Sequence, residues 1–183
     1  MQARRPHHKC DNLKMPAFNG DNQCMLDDNA RYMQYAIREA QRALEVGEVP
    51  VGCVIVHDGD IIGKAHNQRE TLQDPTAHAE IIAITQAAAA IGSWRLENAK
   101  LYVTLEPCPM CAGAIILARI EEVYFGAYDP KAGVCGTLMN LLEDKRFNHQ
   151  PKVFPGLMAE ECGALLSSFF RKIRQDGRQP LGN

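Results

Sequence analysis

Two short segments constrain this chain more than any bulk property. His78-Ala79-Glu80 and Pro107-Cys108-Pro109-Met110-Cys111 together supply one imidazole, two thiols and one carboxylate. His78, Cys108 and Cys111 are ligands of the type zinc takes, and Glu80 is the type of group that moves a proton beside a metal. Any fold that uses them has to bring two distant stretches to one point. Cys108 and Cys111 are three apart, so on a helix they share a face. The prolines around them fit a helix start, where free N–H groups and the helix dipole favour thiolates. His78 and Glu80 are two apart, which a regular helix interior would send to nearly opposite sides. They converge only in an opening turn, so the spacing predicts two helix N-termini meeting around one ion.

With three protein ligands the fourth tetrahedral position stays open for water, the arrangement of a catalytic site. Glu80 is then the general acid–base, taking the proton of the activated water and delivering protons to a substrate. The alternative is a closed structural zinc knuckle. That needs a fourth ligand, and Cys10, Cys24, Cys53, Cys135 and Cys162 are scattered with no second Cys-x-x-Cys. Cys53 and Cys162 fall inside apolar patterns, where a free thiol packs as a small hydrophobe. His57 reads as a turn residue, and His66 and His149 as solvent or hydrogen-bond partners. The adjacent His7-His8-Lys9-Cys10 reads as incidental tail sequence.

The apolar periodicity supplies an α/β frame. Met33, Ala36, Ile37, Ala40 and Leu44 mark a helix over about 28–45, stopped by Gly47. Residues 49–56 and 61–65 read as a hairpin around His57-Asp58-Gly59-Asp60. Asp74-Pro75-Thr76 reads as the start of a helix reaching about Ala90. Strands follow at 101–105 and 123–127, and helices at 109–118 and 159–174. Strands alternating with helices imply a layered α/β domain over residues 26–176. Residues 1–25 are polar and aperiodic and are expected to be a disordered extension. Residues 177–183 are expected to be a C-terminal tail.

A net charge of −2 over 183 residues gives no global basic field for nucleic acid, so any such binding has to come from a local patch. The clear one is Arg171, Lys172, Arg174 and Arg178, suited to phosphate, or else an ordinary solvated helix face. Phe169 and Phe170 beside it cannot both face a core. The seven cysteines are odd in number, no secretory leader is expected, and no run of about 18 apolar residues occurs. A reducing cytoplasm is the expected setting, with no membrane partner.

His-x-Glu followed by Pro-Cys-x-x-Cys resembles the signature of zinc-dependent nucleobase deaminases. The flanking segments narrow the resemblance. Val49-Pro50-Val51-Gly52, Asp74 to Ile81, Leu101 to Ala114, Phe125 to Gly133 and Glu161 to Arg171 are similar to the bacterial tRNA-specific adenosine deaminase family, within the cytidine/deoxycytidylate deaminase superfamily. The likeness covers about residues 27–175. It implies a three-layer cytidine-deaminase-like fold with a central mixed sheet flanked by helices, one Zn²⁺ per subunit, a homodimer, and deamination of the wobble adenosine of a tRNA anticodon loop to inosine. By the same resemblance Asn67 and Ala79 bind the target base. Asp129, Lys131, Asn148 and His149 contact neighbouring nucleotides, and Phe170, Arg171 and Arg174 lie on an RNA-facing helix. The chain departs from the family's usual pattern at Gln68-Arg69-Glu70 and at Asp144-Lys145-Arg146-Phe147. Two other readings share the zinc motif: a deaminase of a free base or nucleotide, and a non-catalytic RNA-binding protein on the same fold.

Overall fold

The computed structural model describes residues 20–177, with side chains from residue 28 onward. The expected order of elements is present. α1 (Gly20–Glu45) leads into the hairpin β1 (Gly52–His57) and β2 (Asp60–His66), followed by the single turn α2 (Arg69–Leu72). Then come α3 (Ala79–Ile91), β3 (Lys100–Leu105), α4 (Pro109–Ala118), β4 (Glu122–Ala127), β5 (Lys152–Pro155) and α5 (Ala159–Gln175). The five strands form one mixed sheet in the order β2-β1-β3-β4-β5. β1 is antiparallel to β2 and β3, and β3, β4 and β5 run parallel.

Strand alternation builds a core on each face of the sheet. Cys53, Ile55, Leu101, Val103, Val123 and Phe125 point to the α3–α4 side, where they meet Ala83, Ala87, Ala112, Ile115 and Ile116. Val54, Val56, Tyr102 and Tyr124 point the other way, onto Met33 and Ala36 of α1 and Cys162 of α5. On that face Tyr32, Tyr102, Tyr124 and Phe154 form a row of rings with centroids 5.3, 4.8 and 4.5 Å apart. The helices lie in close on the sheet because small residues face it. Ala79, Ala83 and Ala87 are fully buried at i, i+4 and i+8 of α3, and Gly63 of β2 meets that row. A Cβ on Gly63 would run into the carbonyl oxygen of Ala83 and lie 3.2 Å from the amide nitrogen of Ala87.

Three differences from the sequence reading have local causes. α1 begins at Gly20, not near Asp28, so residues 20–25 of the expected disordered extension are helical; residues 21–45 contain neither glycine nor proline to stop a helix. Residues 1–19 and 178–183, including His7, His8, Cys10 and Arg178, lie outside the described residues. Asp74-Pro75-Thr76 is a turn and not a helix start. The Asp74 carboxylate accepts from the Thr76 N–H and hydroxyl, both at 2.7 Å, an Asx turn that competes with capping. The helix starts five residues later, at Ala79. β5 and α2 were not anticipated, being only four residues each.

Candidate active site and metal centre

The site is made where two helices begin. His78 is the N-cap of α3 (φ −74°, ψ 151°) and Cys108 the N-cap of α4 (φ −78°, ψ 173°), with Pro109 at the first helical position. N-cap side chains ordinarily fold back onto the helix's own free N–H groups. Neither of these does, and both turn toward the other helix. Nδ1 of His78 lies 3.7 Å from Sγ of Cys108 and 3.5 Å from Sγ of Cys111. The three ligand atoms all lie within 4.8 Å of one another. Ligands of a tetrahedral zinc, with Zn–S near 2.3 Å and Zn–N near 2.1 Å, sit about 3.6–3.8 Å apart. The observed spacings fit that ion. The donor set fits as well, since two thiolates and a neutral imidazole suit zinc among the common metals.

Electrostatics in the chain alone show how closely these groups are coupled. The Cys111 thiol donates to Cys108, with His78 adding to the effect, and holds the Cys108 thiol down at about 4. The same bond, with burial, pushes Cys111 far above the ordinary thiol range. The hydrogen bond to Cys108 also raises His78. One proton is thus shared where a divalent cation would leave both sulfurs as thiolates. Glu80, 4% exposed at the second position of α3, is raised chiefly by burial. Its hold on a proton is strengthened, which suits a group that both takes and gives one.

A cleft of about 1060 Å³ opens above these groups. His78, Glu80 and Cys108 line its floor, Val49, Val51, Asn67 and Ala79 its wall, and Tyr128, Asp129, Lys131, Phe170 and Arg174 its rim. Ala79, the first helical residue of α3, has an N–H with no intrahelical acceptor. Asn67 follows β2 and is fixed at both ends. Its backbone N–H donates to Val51 O at 3.0 Å, and its Nδ2 donates to Glu48 Oε2 at 2.9 Å. Of the phenylalanine pair, Phe169 is buried and Phe170 faces the cleft, the two rings meeting edge to face at 5.3 Å.

Of the residues expected to contact the base or its neighbours, three are not brought into the cleft. Asn148 accepts from Nη1 of Arg119 at 2.7 Å, and Nε2 of His149 lies 2.6 Å from Ile120 O, both beyond the C-terminal end of α4. Arg171 is exposed on α5 and turned away from the lining. The sequence reading also missed three cleft or support residues. Glu48 is fully buried, and Glu106 is 2% exposed. Arg69 lines the cleft, and its Nε is a buried nitrogen without a partner among the described residues. The one available signal was an acidic residue directly abutting an apolar run, at Glu48-Val49 and Leu105-Glu106. Among the described residues no two cysteines are bridged.

Comparison with known proteins agrees with this geometry. The family model of MafB19-like deaminases matches residues 27–174. The tRNA-specific adenosine deaminase of Bacillus subtilis (strain 168) is 60% identical over 144 residues, 79% of this chain and 89% of that protein. Its counterpart in Aquifex aeolicus (strain VF5) is 49% identical over 147 residues, 79% of this chain and 95% of that protein. A structure solved in studies of A-to-I editing by tRNA:A34 deaminases superposes with a TM-score of 0.72 at 45% identity, covering 74% of this chain and 99% of that chain. The guanine deaminase of Nitrosomonas europaea, at 19% identity and a TM-score of 0.68, shares the fold and covers 89% of this chain and 98% of its own. By its cleft, its ligand triplet and these relatives, the chain belongs to the tRNA-specific adenosine deaminase family.

Proposed function

We propose that this protein is a zinc-dependent hydrolase that deaminates the wobble adenosine of a tRNA anticodon to inosine. The observation that carries the proposal is the pairing of the His78–Cys108–Cys111 triplet with buried Glu80 on the floor of a cleft large enough for a nucleoside and its neighbours. His78, Cys108 and Cys111 would hold one Zn²⁺ per subunit. When bound, zinc supplies a Lewis acid that acidifies water to make a nucleophile near neutral pH. The net reaction breaks the bond between adenine C6 and its amino nitrogen, places a water-derived oxygen on C6 and releases ammonia.

Glu80 is the proton shuttle: it takes a proton from the attacking water and returns protons to the ring nitrogen and the departing amine. Asn67 and the Ala79 N–H orient the base. An adenosine in a single-stranded loop leaves its stack at a cost of a few kcal/mol at most. Asp129, Lys131, Phe170 and Arg174 at the rim contact the flanking nucleotides, with the cations matched to phosphate. Asn148, His149 and Arg171 contact the RNA outside the cleft. The working form is a cytoplasmic homodimer. Leu117 on the outer side of the uniformly apolar α4 is 73% exposed, the kind of surface a second copy covers. No helix among the described residues is long and apolar enough to cross a membrane.

The deciding experiment is incubation of zinc-loaded protein with a tRNA transcript whose anticodon begins with A. The expected result is an A-to-G change at that position on reverse transcription, since inosine reads as G, with release of ammonia. An unchanged wobble base would overturn the proposal.

A further inference from the structure

The segment between β4 and β5 begins with the rim residues Tyr128, Asp129, Pro130, Lys131 and Ala132. From 128 to 137 it has no helix and no strand, only turns and one isolated bridge from Cys135 to Asn140. Its amides therefore lack a ladder and have to find acceptors elsewhere. Three of them, at Asp129, Cys135 and Thr137, find one carboxylate. Oε1 of Glu106 accepts from the N–H of Cys135 at 2.9 Å and of Thr137 at 3.1 Å. Oε2 accepts from the N–H of Asp129 at 3.1 Å and from the Thr137 hydroxyl. The loop closes so tightly over Glu106 that a Cβ on Gly133 would strike Oε2 and stand 2.7 Å from the Asp129 carbonyl oxygen. Next along the chain, Pro107 O accepts from the Val134 N–H at 3.1 Å.

A buried acid needs partners, and a ladderless loop needs an acceptor; here each meets the other's need. We infer that Glu106 is a positioning residue that locks the 128–137 loop, so that the cleft rim is ordered before any ligand arrives. Without the lock, Asp129 and Lys131 would have to be ordered at binding, which weakens affinity and leaves the chemistry of the bound complex alone. The acid stands at the end of β3, two residues before Cys108. One strand-to-helix turn therefore sets both the ligand and the rim.

The activity arm of the test rests on the proposed RNA reaction. The full-length, zinc-loaded Glu106→Gln protein is compared with wild type on an anticodon stem-loop transcript. Gln keeps the shape but puts an amide donor where N–H donors already point. The expectation is a KM raised about tenfold, the scale of a buried hydrogen bond or two, with kcat within about twofold and full zinc content. Amide exchange at Asp129, Cys135 and Thr137 should accelerate in the same protein. Thr137→Val, which removes only the outermost donor, should show the same pattern more weakly and decides the matter if Glu106→Gln does not fold. Unchanged exchange and unchanged KM in both variants would overturn the inference. So would a fall in kcat at constant KM, which would mean that Glu106 acts on the metal turn and not the rim. Failure of the wild type to convert the transcript would reject the RNA reading instead, leaving the exchange arm to judge the lock.

Discussion

Gly63→Ala probes the placement of the catalytic helix from a distance. Gly63 is in β2 and touches no group of the site. Its added methyl would run into Ala83 O and lie 3.2 Å from Ala87 N, both backbone atoms of α3. Backbone cannot rotate away as a side chain would. Restoring an ordinary carbon–oxygen contact of about 3.5 Å requires α3 to move off the sheet by roughly 1 Å. Overpacking of this kind costs about 1–3 kcal/mol, which in a domain of this size lowers Tm by roughly 2–12 °C. Glu80 lies one turn before Ala83 on the same helix and moves with it. A displacement near 1 Å at reacting groups can cost about 10²-fold in rate. Zinc-loaded wild type and variant would be compared by thermal denaturation and by inosine formation at saturating transcript. Gly113→Ala is the control, because Gly113 is inside α4 with nothing within 4 Å of the added methyl. It should gain about 0.5–1 kcal/mol from helix propensity and keep its turnover. Wild-type Tm and turnover in Gly63→Ala would refute the claim that the small-residue contact fixes α3.

Glu80→Gln should keep zinc and transcript binding while losing about 10²–10⁴-fold in kcat, read from single-turnover inosine formation. Cys108→Ala should lose stoichiometric zinc by elemental analysis and, because metal binding is coupled to folding, unfold at lower temperature; full zinc occupancy would remove Cys108 from the ligand set. In zinc-free protein the Cys108 thiol, held at about 4 against an ordinary 9.0, is ionised throughout the range above that value. Burial pushes Cys135 and Cys162 up to about 12. Iodoacetamide at pH 6 should therefore label Cys108 ahead of both, with zinc protecting it, as read by peptide mass spectrometry.

The sequence carried more of the site than of the scaffold. His78-x-Glu80 could work only at a helix end, and His78 is indeed the N-cap with Glu80 two residues on. Cys108 and Cys111 take the matching places at the start of α4. This was readable because ligand spacing is a local property and each N-terminus is written in a few residues. The support was not readable in the same way. Nothing adjacent to Glu48 names Asn67 as its partner, nineteen positions away, and nothing adjacent to Glu106 names Thr137. Those pairs depend on which strand edges come together, which periodicity does not encode. Asp74-Pro75 misled for a different reason, because the features that cap a helix also close an Asx turn.

The two N-caps also explain why so small a set of residues suffices. An ordinary cap spends its side chain on its own helix. His78 and Cys108 do not, and both helix starts leave free N–H groups at the point where negative charge collects. Two positive helix ends aimed at one spot favour thiolate sulfur before any cation is bound, and at Cys108 they act beside the larger effect of the Cys111 thiol hydrogen bond. The same ends raise no objection to a carboxylate at the second position of α3, where burial, with the charge of Cys108 adding to it, holds Glu80 toward its protonated form. On the proposed reading, metal affinity and proton transfer would draw on one piece of geometry, the meeting of α3 and α4 over the sheet. A perturbation of that meeting should weaken both together. One confined to the rim, as at Thr137, should weaken binding alone.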